Sequence, residues 1–523
     1  MKNNIITITL FILCFFILLL SLRGIAGNPT LGTINDAKWT TDGPLELSPD
    51  RGRFALTYSI VEENSFFFSL PIARFATPDL GYKNGHYVSL FAPFVSYVII
   101  PGYILGKLFG LAQVGSFAVI AFIALLNVVL IRLISMRLGA NKIAATLAGL
   151  VFLFATPAYA YAVSLYQHHI STFLILLTLY ILLRWKNLKS LFFVWLLFGI
   201  SLPIDNPNLF LMAPLVIYAS GRFFSINKMK EKINFSFHFL GVLTFLGGVL
   251  PLLFFLWFNQ MSYGNPLQLG GTVASVKAID ANGKPTLPQV AITDKKTIDG
   301  LLDPAKQNKS VIQFFQSRNL INGLYELFIS QDRGMLYFTP VMFIGMFGGI
   351  LLYRKKSSIL VVLVGIIGMN VLLYAMWGDP YGGWAFGSRY LIPAYAIIAI
   401  LLSFVLSAFR KNIWFLLFFS LVVTYSISVN TVGAITSNSN PPKSEVLALE
   451  KLYHTPETYS FDRNIQLLSH NTSKSFIWQT YFKSAISAVT YYWILVTSIL
   501  LIFVGQIISL RIHTTYKPED RYE

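Results

Sequence analysis

The chain has 523 residues, of which 55% are hydrophobic and 12% charged, with a mean hydropathy of +0.62. A soluble domain carries about 25% charged residues, so that class is excluded and an all-α polytopic membrane protein is expected. The formal net charge is +17, but the basic residues sit in short clusters between apolar runs, which marks the cytoplasmic ends of membrane helices and excludes a nucleic-acid surface.

In chain order, Lys2 precedes the first apolar run, Ile5 to Leu22. It is read as an uncleaved first helix rather than a signal peptide. It holds the single cysteine, Cys14, which has no intrachain partner. Further spans are read at roughly 114–137, 143–163, 169–185, 190–204, 206–221, 236–258, 335–353, 359–376, 390–409, 412–432 and 485–510, about twelve in all. One more apolar run, 88–110, contains Pro93, Pro101 and Gly102. If it does not cross, every basic cluster falls on the side of the N-terminus: Arg132, Arg137 and Lys142; Arg184, Lys186 and Lys189; Arg222, Lys228, Lys230 and Lys232; Arg354, Lys355 and Lys356; Arg410 and Lys411; Arg511 and the tail. If it crosses, all clusters after Lys2 fall on the wrong side. The run is therefore read as an interfacial or re-entrant helix, with both termini cytoplasmic.

The outer face then receives 24–113, the turns near 166–169 and 205–208, and the loops 259–334, 377–389 and 433–484. Almost all the unusual polar residues lie there. Asp50, in Ser48-Pro49-Asp50, reads either as a helix cap or as a shielded carboxylate suited to general-base work. Asn84-Gly85 reads as a tight turn that presents Lys83 and His86, cations for an anionic headgroup or members of an interfacial anchor. His168 and His169 sit at a helix turn; adjacent histidines do not share a helical face, so a two-ligand metal site is not expected. Asp205, between two spans, is costly near hydrocarbon and needs a function or a partner. Arg333 and Arg389 lie against the positive-inside trend, and their planar forks suit a phosphate; Arg333 also has Asp332 beside it. Trp377 and Trp384 flank a glycine-containing loop and offer faces for a sugar ring.

These pieces together resemble the GT-C superfamily of membrane glycosyltransferases, in the branch of protein O-mannosyltransferases and the lipid A aminoarabinose transferase. Pro49-Asp50-Arg51-Gly52-Arg53-Phe54 is similar to the family's Pro-Asp-Glu-x-Arg-Tyr segment. Tyr82-Lys83-Asn84-Gly85-His86-Tyr87-Val88-Ser89 is similar to the approach to its interfacial helix, and Gly387-Ser388-Arg389-Tyr390-Leu391 with Pro393 to its Gly-x-Arg-Tyr-Leu-x-Pro stretch. The departure is Arg51, where many members carry a second acid, so paired carboxylates and metal binding are not expected at that point.

The resemblance implies inverting transfer of a sugar from a polyprenyl-phosphate donor to an acceptor hydroxyl on a glycan, lipid or protein, on the extracytoplasmic side of the cell membrane. Asp50 is the implied base. Arg389, Arg333 and Lys83 are implied to hold the donor phosphate, with His86, His168, His169, Asp205, Trp377 and Trp384 at the substrate. No cofactor is expected. A catalytic region over 1–432, an outer loop or small cap over 433–484, and a last span with a tail over 485–523 are expected. The competing class is a transporter or flippase of lipid-linked sugars, which would place its site near the midplane in two related halves.

Overall fold

A computed structural model describes residues 2–229, 232–286, 315–354, 358–456 and 458–512. Lys230, Lys355, Lys356, most of the loop 259–334 after Thr286 and the basic tail lie outside them. The described chain is mostly helical. Five helices are long and apolar enough to cross a membrane: Ala112–Arg137, Gly241–Tyr263, Arg389–Phe409, Ile413–Ile435 and Ala488–Ile512. Shorter apolar helices accompany them, among them Ile8–Ser21, Lys142–Phe154, His168–Arg184, Ser190–Ser201 and Ile359–Ala375.

Three expected spans are broken. The 143–163 run becomes Lys142–Phe154 and Ala158–Ala162, and 206–221 becomes Asn208–Leu211 and Ala213–Ser220. The 335–353 run becomes Met335–Phe338, Val341–Met346 and Gly348–Arg354. Pro157 and Pro340 stand at two of these breaks, where proline removes a backbone donor and clashes with the preceding turn.

At the centre lies Ile392–Phe409. It touches Ala112–Arg137, Lys142–Phe154, His168–Arg184, Val341–Met346, Gly348–Arg354 and Ile359–Ala375. Its residues from Ile392 to Leu406 are buried, and its first turn is preceded by Arg389. The most sequestered helix of the bundle therefore delivers that guanidinium.

The all-α expectation needs an addition. A four-stranded antiparallel sheet forms in the order Phe67–Phe68, His86–Ser89, Leu80–Lys83, Ser275–Val276, and a hairpin pairs Phe224–Met229 with Lys232–Phe237. The turn Asn84-Gly85 has φ of 51° and 82°, the positive pair that a tight two-residue hairpin requires. Ser275–Val276 brings the long loop onto the sheet, and Leu269, Gly271 and Thr272 come to share a cavity wall with Leu90 and Phe91.

The proline-bearing run forms the helix Phe94–Leu108. Phe94 N–H donates to Pro203 O (2.9 Å), just after the Ser190–Ser201 helix; at the far end Gly27 N–H donates to Gly110 O (2.7 Å) and Asn28 Nδ2 to Lys107 O (2.9 Å), just after the first helix. Arg23, four residues earlier, donates to Gly433 O and Ala434 O at the end of Ile413–Ile435. Between these ends Gly102 and Gly106 pack on Gly115 so closely that a Cβ at Gly102 would lie 2.2 Å from Gly115 O. The segment 433–484 contains the helices Lys443–Tyr453 and Asp462–Ser469.

Candidate functional site

The helix Ser48–Glu62 carries Pro49 and Asp50 in its first turn, where proline and an acid are both favoured. Asp50 does not cap this helix. It is buried, and its Oδ1 accepts from Leu165 N–H (2.8 Å), which fixes the turn after Ala158–Ala162. One helical turn on, Arg53 lies on the same face. Its Nη2 donates to Gln167 Oε1 (2.6 Å) and its Nη1 to Pro49 O (3.1 Å). Arg51 turns the other way and clamps four carbonyls, of Leu45, Glu46, Phe75 and Thr77.

Pro49 and Arg53 open onto a cavity of about 390 Å³. One part of its wall is polar: Arg53, Tyr166, Gln167, Asp205 and Arg389. Much of the rest is apolar, including Leu90, Phe91, Leu209, Phe210, Leu269 and Phe315, with Tyr374, Trp377 and Tyr390. Both guanidiniums lie against the ring of Tyr166, at 4.7 Å for Arg389 and 5.1 Å for Arg53. Arg389 Nη2 donates to Gly382 O (2.6 Å), while its Nε and Nη1, and Nε of Arg53, meet no acceptor in hydrogen-bond geometry. Asp205 accepts from Gln167 Nε2 (3.2 Å). Burial raises the Asp205 carboxyl to about 6, against the Gln167 hydrogen bond and the pull of Arg53 and Arg389. Burial likewise raises Asp50 to about 6, opposed by Arg53, Arg23 and the Leu165 N–H.

The cavity thus brings together Asp205, Trp377 and Arg389 of the expected residues. Asp50 does not line it; its neighbours Pro49 and Arg53 do. Arg333 is elsewhere. It is fully buried, paired with Asp332 (2.6 Å), and donates to the carbonyls of Tyr381, Gly383 and Asn440. Those bonds use its donors to hold the 377–389 loop. Lys83 is half-buried on the hairpin, and His86 is exposed and stacked on Phe67 (4.2 Å); neither lines the cavity. His169 is a core histidine whose Nε2 meets Ala158 O (2.7 Å). His168 stacks on Tyr166 (5.8 Å) from outside the lining. Trp384 donates to Glu445 (2.5 Å), away from the cavity. Among the described residues no three His, Cys, Asp or Glu side chains form a metal-binding group.

No family model matches the sequence, and no curated protein matches it. Solved structures do. ArnT from Cupriavidus metallidurans in the apo state is 13% identical over 98% of this chain and 76% of its own, with a TM-score of 0.47. The same protein bound to undecaprenyl phosphate is 12% identical over the same shares, with a TM-score of 0.45. The Archaeoglobus fulgidus oligosaccharyltransferase, in complex with Zn and sulfate, is 17% identical over 86% of this chain and 56% of its own, with a TM-score of 0.48. With every TM-score below 0.5, the chemistry below rests on this chain's own residues.

Arg53 and Tyr166 line the cavity but are not among the expected site residues. Arg53 was legible through its three-residue spacing from Asp50 on a helix. Tyr166 carried no signal beyond an aromatic beside a turn, because its importance comes from two arginines more than a hundred residues away on either side.

Proposed function

We propose that the cavity receives a sugar carried on a polyprenyl phosphate and that the chain transfers the sugar, with inversion, to an acceptor hydroxyl. The observation that carries this reading is the pair Arg53, buried, and Arg389, half-buried, two cations with unpartnered donors in a cavity with apolar walls. A lipid bearing one compact anionic group matches that combination. A carboxyl takes the acceptor proton as the acceptor oxygen bonds to the anomeric carbon: Asp50, which lies behind the lining residues Pro49 and Arg53 and is reached once the wall there gives way, with Asp205 in the lining as the alternative base. The bond from that carbon to the phosphate oxygen breaks, and its electrons leave with the lipid phosphate, which Arg389 and Arg53 stabilise. Asp205 and Trp377 face the sugar. Arg333 supports the loop rather than the phosphate, and Lys83, His86, His168, His169 and Trp384 stand outside the immediate site.

In the same reading about twelve spans place both termini in the cytoplasm and the cavity on the extracytoplasmic face, with 1–432 as the catalytic region and 433–484 over it. The test is to incubate purified protein with a panel of radiolabelled polyprenyl-phosphate sugars and cell-envelope acceptors. Labelled product with release of polyprenyl phosphate is expected. Movement of intact lipid-linked sugar across vesicles without product would make the chain a carrier instead.

A further inference from the structure

We propose that the ring of Tyr166 is the positioning element of the cavity: its electron-rich face holds Arg53 and Arg389 together and leaves their N–H groups for the anionic ligand. This rests on the anionic-lipid reading above. Each guanidinium lies against two aromatic rings, and one ring is shared. Arg53 is 4.6 Å from the centre of Phe91 and 5.1 Å from that of Tyr166; Arg389 is 4.7 Å from Tyr166 and 5.4 Å from Tyr390.

The chemistry explains why an aromatic ring suits this place. Two like charges brought together need compensation. A carboxylate between them would supply it, but would consume the donors that a phosphate needs. A π face attracts a cation without accepting its N–H bonds in full. The donors agree with this: Nε of Arg53 has no acceptor, and Nε and Nη1 of Arg389 meet none in good hydrogen-bond geometry, with the Tyr390 phenol the nearest competitor. The ring is itself fixed. Tyr161 meets it edge-on at 5.1 Å, His168 stacks parallel at 5.8 Å, and the preceding Leu165 is tied to Asp50. Burial keeps the phenol protonated, so Tyr166 adds no negative charge of its own.

The experiment compares binding of a polyprenyl phosphate and of the polyprenol of the same chain length to the full-length protein in detergent. The wild type is expected to prefer the phosphate. Tyr166→Phe keeps the face and is expected to retain that preference within about threefold. Tyr166→Leu removes it, and is expected to lower phosphate affinity roughly tenfold or more, with alcohol affinity unchanged. Because Leu can disturb folding, a series of fluorinated phenylalanines at 166 keeps the ring size while withdrawing charge from its face. A graded fall in phosphate affinity along that series, with constant alcohol affinity, supports the proposal. A flat series, a parallel fall for both lipids, or a loss in Tyr166→Phe equal to that in Tyr166→Leu overturns it. A wild type that does not prefer the phosphate overturns the anionic-lipid reading itself, and the role of Tyr166 with it.

Discussion

Asp50, which is buried, and Asp205, half-buried in the cavity wall, are both raised to about 6 by desolvation. As a base Asp50 must be ionised, so turnover is expected to fall as the pH drops through about 6. Stability runs the other way. A folded-state value above the unfolded one, about 3.9, means that the stabilising contribution is complete below about 4 and is lost as pH rises through about 6. Asp50→Asn keeps the Oδ1 that accepts from Leu165 and removes the charge. It is therefore expected to melt no lower than wild type at pH 8 while losing about 10²–10⁴-fold in rate; near-normal turnover would move the base to Asp205. In Asp205→Asn the acid limb of the rate profile should persist if it belongs to Asp50. Arg389→Lys keeps a charge but loses the planar fork, and is expected to weaken polyprenyl-phosphate binding while the protein still folds.

Arg333 acts on a loop. Its bonds to Tyr381 O and Gly383 O flank Gly382, whose carbonyl accepts from Arg389. Removing one member of a buried ion pair typically costs about 3–5 kcal/mol. Arg333→Ala should therefore lower the thermal midpoint in detergent sharply, far more than Lys83→Ala on the half-buried hairpin. The helix Phe94–Leu108 gives a second test. Gly102→Ala forces a methyl against the Gly115 carbonyl, and overpacking of this kind costs about 1–3 kcal/mol. The sequence disclosed these elements unevenly. Asn84-Gly85 announced its turn, but hydropathy alone read 143–163 and 335–353 as single spans although Pro157 and Pro340 stand at their breaks. Short extended pieces about Asn84-Gly85 were expected, but the two outer strands of the sheet stayed hidden because they are only two residues long, too short for alternation to show. Asp332 beside Arg333 was visible as a pairing; that the pair spends its remaining donors on three distant carbonyls was not.

For the molecule as a whole, the ends of Phe94–Leu108 bind segments that follow the first helix and the Ser190–Ser201 helix. With Cys14 replaced, single cysteines at Asn84 and at the exposed Phe109 are expected to react with an impermeant reagent from the same side, and one at Lys189 only from the opposite side. Labelling of 84 and 109 from opposite sides would mean that the helix crosses. Hydropathy and charge parity predict this arrangement, whereas the cavity needed stretches near 49–53, 90–92, 166–167, 204–210, 269–272, 315 and 374–390 to be folded together. One further consequence follows from Arg333. The same guanidinium grips the 377–389 loop through Tyr381 and Gly383 and the 433–484 segment through Asn440, while Asp332 accepts from Lys443 N–H (3.0 Å). Lifting either segment alone would strand a charge in a dry interior, and each 1.4 kcal/mol of such a barrier slows opening about tenfold. The 377–389 loop and the segment around Asn440 and Lys443 are therefore tied through one buried ion pair, so that neither is expected to lift without the other.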